Sequence, residues 1–173
     1  MLGKNYKNDL PHIEQPYGHT ELSFCVTRPE YCYFKFAFVR NPWERLVSAF
    51  FYLNAGGCNE FDDIFRVAHL SVYNGDFNAF VLDIERHLSA QHFRPQICWL
   101  CDERGTLLPD FVGRYERLSS DFVIVADYLS LSRSIPAINS SRHLHYRDYY
   151  NPVTRKIVET LYNKDIETFD YVY

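Results

Sequence analysis

Arg40 and Ser48 stand eight residues apart in the stretch YFKFAFVRNPWERLVSAFFY, which runs from Tyr33 to Tyr52. An arginine presents a planar fork of donors matched to phosphate-like oxyanions, and a nearby hydroxyl adds another donor, so anion binding is the chemistry this pair allows. Two elements must position them. Phe34 to Val39 is an apolar run broken only by Lys35, too short for a helix and rich in aromatics, which predicts a mostly buried strand. Asn41 can serve as N-cap and Pro42 suits the first helical position, so a helix is expected from about Pro42 to Leu53. Arg40 then lies at the turn, beside the unpaired N–H groups and positive dipole end of a helix start. Arg45 and Ser48 are three apart and share a face, and Ser48 can look back toward the anion.

The run R-N-P-W-E-R-L-V-S-A-F-F-Y resembles the segment by which PAPS-dependent sulfotransferases, especially the carbohydrate sulfotransferase group, hold the 3′-phosphate of 3′-phosphoadenosine 5′-phosphosulfate (PAPS). The resemblance assigns that phosphate to Arg40 and Ser48. The plainer alternative is a strand–helix joint with a capping asparagine and a surface arginine. Upstream, Tyr17-Gly18-His19 precedes Arg40 by 21 residues. It resembles the catalytic histidine region of sulfotransferases that act on the 2-O position of uronic acids. Sulfuryl transfer to a sugar hydroxyl needs a base for the hydroxyl proton, and histidine is matched to that task. His19 is thus the candidate base, with a surface or capping histidine as the alternative.

Further blocks match the family in order. His92-Phe93-Arg94-Pro95-Gln96 resembles its H-x-x-P-Q segment and places His92 and Arg94 near the acceptor sugar, with Gln96 near the same cleft. Asp110-Phe111-Val112-Gly113-Arg114-Tyr115-Glu116 resembles its D-F-I/V-G-R-F/Y-E signature. The polar, cationic loop from Ile135 to Tyr146 resembles an N-x-S-x-R/K loop that closes over the nucleotide. By that resemblance Arg142 helps hold a phosphate and Tyr146 packs nearby; a solvated loop is the alternative. The ending Y-N-K-D-I-E-T-F-D-Y matches the family's closing Y-x-x-D-I/L-E-x-F-x-Y.

Between these blocks the periodicity predicts helices over about Glu60–Leu70, Asn74–Leu88 and Glu116–Leu131. A last helix is expected from Pro152 to about Glu167, capped by Asn151. Phe77, Phe80, Val81, Ile84 and Leu88 form one core-facing stripe. Leu118, Phe122, Val125 and Leu129 form another, and Val153, Ile157, Leu161 and Ile166 a third. Ile97–Cys101 and Leu107–Val112 are expected as short strands joined by a turn over Asp102 to Gly105. Asn54-Ala55-Gly56-Gly57 ends the central helix on glycine.

A 173-residue chain, 47% hydrophobic and 17% aromatic, is large enough for one folded core and argues against disorder. Its formal charge of −4 gives no general attraction to nucleic acid or acidic membranes, so an anionic cofactor must meet a local cationic site. No apolar run reaches membrane-span length, and residues 1–19 lack the apolar core of a signal peptide. As it stands the chain is expected to be cytoplasmic, or in the Golgi lumen if a longer eukaryotic chain exists upstream. Cys25, Cys32, Cys58, Cys98 and Cys101 form no regular framework, and Cys98-Trp-Leu-Cys101 reads as two buried or half-buried thiols. No cluster of acids at ligand spacing calls for a metal.

These readings converge on an α/β, P-loop-like domain spanning residues 1–173, three-layered, with a small, mainly parallel sheet flanked by helices. The expected reaction moves a sulfuryl group from PAPS to a hydroxyl of a saccharide-type acceptor, with no metal and no nucleic-acid partner. The family's first strand and its P-K-T/V-G/A-x-S/T loop for the 5′-phosphosulfate are not found: Met1-Leu2-Gly3-Lys4-Asn5 has glycine and lysine but no following Ser or Thr. The chain therefore reads as truncated at its N-terminus relative to the family. An unpaired sheet edge beside the R-N-P strand would favour a homo-oligomer. Two rivals stay open: a non-catalytic nucleotide-phosphate binding remnant of the fold, and a P-loop-type phosphotransferase, whose Walker lysine and magnesium acid are lacking.

Overall fold

A computed structural model describes residues 21–22, 34–135 and 144–173. Strand β1 (Phe36–Val39) leads through Arg40 and Asn41 into helix α1 (Pro42–Asn54), as expected from the sequence. The start of α1 follows from its side chains: Asn41 Oδ1 accepts from the N–H groups of Trp43 and Glu44, and Pro42, lacking a donor, occupies the first turn at no cost. Strand β1 is less buried than its composition suggests. Val39 is in the core, but Phe36 is 42% exposed.

Strand β2 (Phe111–Arg114) pairs with β1 in parallel, Phe36 opposite Phe111 and Val39 opposite Arg114. Gly113 is required at this crossing, because a Cβ there would lie 2.4 Å from the Phe38 ring. A small parallel sheet flanked by helices is the α/β arrangement the sequence predicted.

The core forms on α1. Trp43, Leu46, Val47, Phe50 and Leu53 are buried against helix α3 (Phe77–Leu82), Phe93 and Tyr162. Burial of each such side chain stabilises the fold by about 1.5–3 kcal/mol. The expected stripe is real: Phe77, Phe80, Val81 and Ile84 are buried. Its element is shorter than predicted, however. Asn74 and Gly75 take left-handed backbone conformations, so α3 starts only after Asp76, whose carboxylate caps Ala79 N–H. The preceding helix likewise changes character: α2 (Glu60–Phe65) passes into a π-helical turn over Arg66–Leu70.

Three further expectations are corrected. Ile97–Cys101 is not a strand; Ile97–Leu100 forms a short helix, α4, because the Asp165 carboxylate accepts from the N–H groups of Gln96 and Ile97 at its start. The expected hairpin survives only as an antiparallel bridge between Cys101 and Leu107, closed by Asp102, whose side chain accepts from Arg104 and Thr106 N–H. Helix α5 (Leu118–Leu129) turns Val125 and Ala126 inward, while Leu129 stays exposed. The last helix breaks at Tyr162 into α6 (Pro152–Leu161) and α7 (Asn163–Thr168). Its fully buried face is Thr154, Val158, Tyr162 and Asp165, whereas Val153 is 60% exposed. Cys98 and Cys101 are half-buried free thiols, as expected.

Candidate functional site

Arg40 occupies the joint between β1 and α1, immediately before the N-cap. Its guanidinium carbon lies 4.2 Å from the centre of the Tyr115 ring, and its Nη2 donates to Glu44 Oε1 at 3.0 Å. The Nε–H is buried and has no acceptor among the described residues. A buried, unpaired guanidinium donor is costly unless a ligand brings an oxygen to it.

The expected pool of free N–H groups at the helix start is corrected by the same geometry. Trp43 and Glu44 N–H go to Asn41 Oδ1, Arg45 N–H goes to Asn41 O at 2.8 Å, and Asn41 N–H goes to Glu116 Oε1 at 2.6 Å. The first turn is saturated by protein groups. An anion here would meet the Arg40 side chain and the helix dipole, not open backbone donors.

Contacts distant in sequence hold this turn. Gln96 brackets the Arg40 backbone: its Oε1 accepts from Arg40 N–H at 2.9 Å and its Nε2 donates to Arg40 O at 2.8 Å. Asp165, fully buried, in turn accepts from Gln96 N–H and Ile97 N–H, each at 2.7 Å. Burial pushes the Asp165 carboxyl above its usual range, although these N–H groups and the nearby Arg45 charge pull the other way. Arg45 donates to Gln91 O at 3.5 Å, and burial lowers its pKa. Glu116 is steadied by the Tyr171 hydroxyl at 3.1 Å, and Asn41 Nδ2 donates to Val172 O.

Ser48 is half-buried on α1, on the strand–helix unit that carries Arg40 and three residues past Arg45. Beside the turn lies a cavity of about 540 Å³ lined among others by Asn41, Glu44, Arg114, Arg117, His145 and Tyr146. His92 is tied to the far end of α1: its Nε2 lies 3.2 Å from Asp62 Oδ1, and its ring packs against Tyr52. Burial alone would raise the Asp62 carboxyl. The Tyr52 hydroxyl, Cys58 N–H and His92 outweigh it and hold the group below its usual range. Arg94 pairs with Glu21 and lies 4.9 Å over the Trp99 ring. It lines a separate cavity of about 980 Å³ with Cys98 and Cys101. The structure therefore joins Arg40 and Ser48 on one strand–helix unit and sends His92 and Arg94 to different surroundings. His19 and Arg142 lie outside the described residues.

The model of the sulfotransferase family matches residues 12–172. The chain belongs to the sulfotransferase family. Its chemistry is sulfuryl transfer from a sulfonate donor to a hydroxyl-bearing acceptor. Neither the curated proteins nor the solved structures contain a match to the chain. In this sulfotransferase, sequence reasoning missed Tyr115, Glu116 and Asp165 as parts of the Arg40 surroundings, and placed Gln96 near the cleft without its two bonds to the Arg40 backbone. Asp165 left a readable signal, since it is an acid on the same helical face as Val158 and Tyr162. Among the described residues no helix is long and apolar enough to cross a membrane, and no group of three or more His, Cys, Asp or Glu is placed to hold a metal ion.

Proposed function

We propose that residues 1–173 form a single PAPS-dependent sulfotransferase domain acting on a hydroxyl of a carbohydrate-type acceptor. The observation that carries the reading is the buried, unpaired Nε–H of Arg40 at a strand–helix turn. In this reading the guanidinium, which lies over the Tyr115 ring, grips the nucleotide's 3′-phosphate, and Ser48 adds a hydroxyl from the next turns of α1. Arg142 assists from the later loop. PAPS supplies the sulfuryl group: a bond forms from the acceptor oxygen to sulfur while the sulfur–oxygen bond to the 5′-phosphate breaks. His19 takes the hydroxyl proton, and His92 and Arg94 contact the acceptor. The residues needed for the phosphate fit it, because Arg40 keeps a donor to spare and the first turn adds positive potential.

The test is formation of adenosine 3′,5′-bisphosphate from PAPS in the presence of a panel of unsulfated saccharides. Acceptor-dependent turnover that disappears in His19→Ala supports the reading. Turnover with phenols but no saccharide overturns the carbohydrate assignment. Bisphosphate binding without turnover on any hydroxyl acceptor favours a non-catalytic remnant.

A further inference from the structure

The ladder between β1 and β2 ends at Val39 opposite Arg114, so Arg40, the next residue, has no strand neighbour in that pairing. Gln96 takes the place of one. A side-chain amide carries a donor and an acceptor at a fixed separation, as a peptide group does, and Gln96 satisfies both the N–H and the C=O of Arg40. No other side-chain type available at this length does both: a carboxylate only accepts and an ammonium only donates. Gln96 is 8% exposed and cannot meet ligand from the surface. Its own backbone is fixed from behind by Asp165. One residue further on, Glu116 seizes Asn41 N–H. The peptide units on both sides of the Arg40 side chain are thus clamped by side chains 56 and 75 residues away in sequence.

We propose that Gln96 is the positioning residue of the anion site, acting as a surrogate strand that fixes the Arg40 backbone and so aims its guanidinium at the phosphate. The inference rests on the phosphate-binding reading of Arg40. Packing alone would ask only for a side chain of this volume, whereas positioning asks for both hydrogen bonds.

The test compares two nucleotides by titration calorimetry: adenosine 3′,5′-bisphosphate and adenosine 5′-monophosphate, which lacks the 3′-phosphate. Their affinity ratio reports the 3′-phosphate contact. A partly unfolded or generally loosened protein weakens both ligands alike and leaves the ratio unchanged. Gln96→Met keeps the volume and removes both bonds to Arg40, together with the longer one to Asp165; the ratio is expected to fall about tenfold, the scale of one misdirected charged hydrogen bond. Gln96→Glu keeps the acceptor for Arg40 N–H but sets a carboxylate oxygen against Arg40 O and Asp165 Oδ2, so its ratio is expected to fall at least as far. A wild-type ratio in either folded variant overturns the inference. If Gln96→Met gives no cooperative unfolding transition, Gln96→Glu decides alone. A wild-type protein that binds both nucleotides equally refutes the phosphate reading itself, an outcome distinct from failure of the variants.

Discussion

Replacing Asp165 separates the cost of an unsatisfied backbone from the cost of a buried charge. Its carboxylate is fully buried and accepts two 2.7 Å bonds, from Gln96 N–H and Ile97 N–H. Asp165→Ala leaves both donors without partners and a gap in the core, which at about 1–3 kcal/mol per stranded group sums to about 2–6 kcal/mol. Asp165→Asn keeps one acceptor oxygen and the volume. It also removes a charge that burial disfavours, since the carboxyl sits above its usual range for that reason. Its expected cost is about 1–2 kcal/mol. Urea unfolding followed by tryptophan fluorescence resolves the two, with the slope of the transition checking that both variants remain two-state. Against a total stability of about 5–15 kcal/mol the alanine variant should be visibly marginal and the asparagine variant not. Equal losses, or losses below about 0.5 kcal/mol in both, would refute the view that this side chain organises the Gln96 segment.

Other outcomes follow from single sites. Gly57 has φ +65°, and a Cβ there would fall 2.1 Å from Asp62 Cβ, so Gly57→Ala should cost more than about 1 kcal/mol by thermal unfolding; a neutral result would contradict the placement of Asp62. The Tyr73 hydroxyl donates to Asp83, which leaves His87 Nε2–H to donate to Tyr73; burial and the neighbouring His69 lower the His87 pKa below 6.5. The unfolded state therefore binds the extra proton first, so this contribution to stability is complete above pH 6.5 and is lost as pH falls through the lowered value. Denaturant titrations from pH 8 to 5 should show a decline that is shallower in His87→Gln. Glu44 engages Arg40 Nη2 in an i,i+4 pair, and Glu44→Gln should tighten adenosine 3′,5′-bisphosphate by about 0.2–0.5 kcal/mol in low-salt calorimetry, with weaker binding as the contrary result.

Local signals in the sequence translated directly into structure wherever the deciding contact was local. Asn41 with Pro42 and Asn151 with Pro152 cap their helices as read, because the cap side chain and the N–H groups that donate to it lie within three residues. The Phe77, Phe80, Val81 and Ile84 stripe held because it is a property of spacing alone. Failures came where a distant group decided. The helix at Ile97–Leu100 exists because Asp165, 69 residues from Gln96, supplies its cap; an apolar run with an aromatic in the middle reads as a strand without that knowledge. The break at Tyr162 follows the same logic, since its hydroxyl donates to Phe93 O at 2.6 Å and fixes the residue in the core. At the site, Arg40 and Ser48 could be read from one short segment. The Gln96, Glu116 and Tyr115 contacts could not, because they depend on how three separate blocks meet.

The central claim is that Arg40 receives the nucleotide's 3′-phosphate. Calorimetric titration of the wild-type chain and Arg40→Ala with adenosine 3′,5′-bisphosphate tests it directly. Loss of a largely desolvated arginine–phosphate contact should weaken binding by about 2–4 kcal/mol. Equal affinity in the two folded proteins, or no binding by the wild type, would contradict the account.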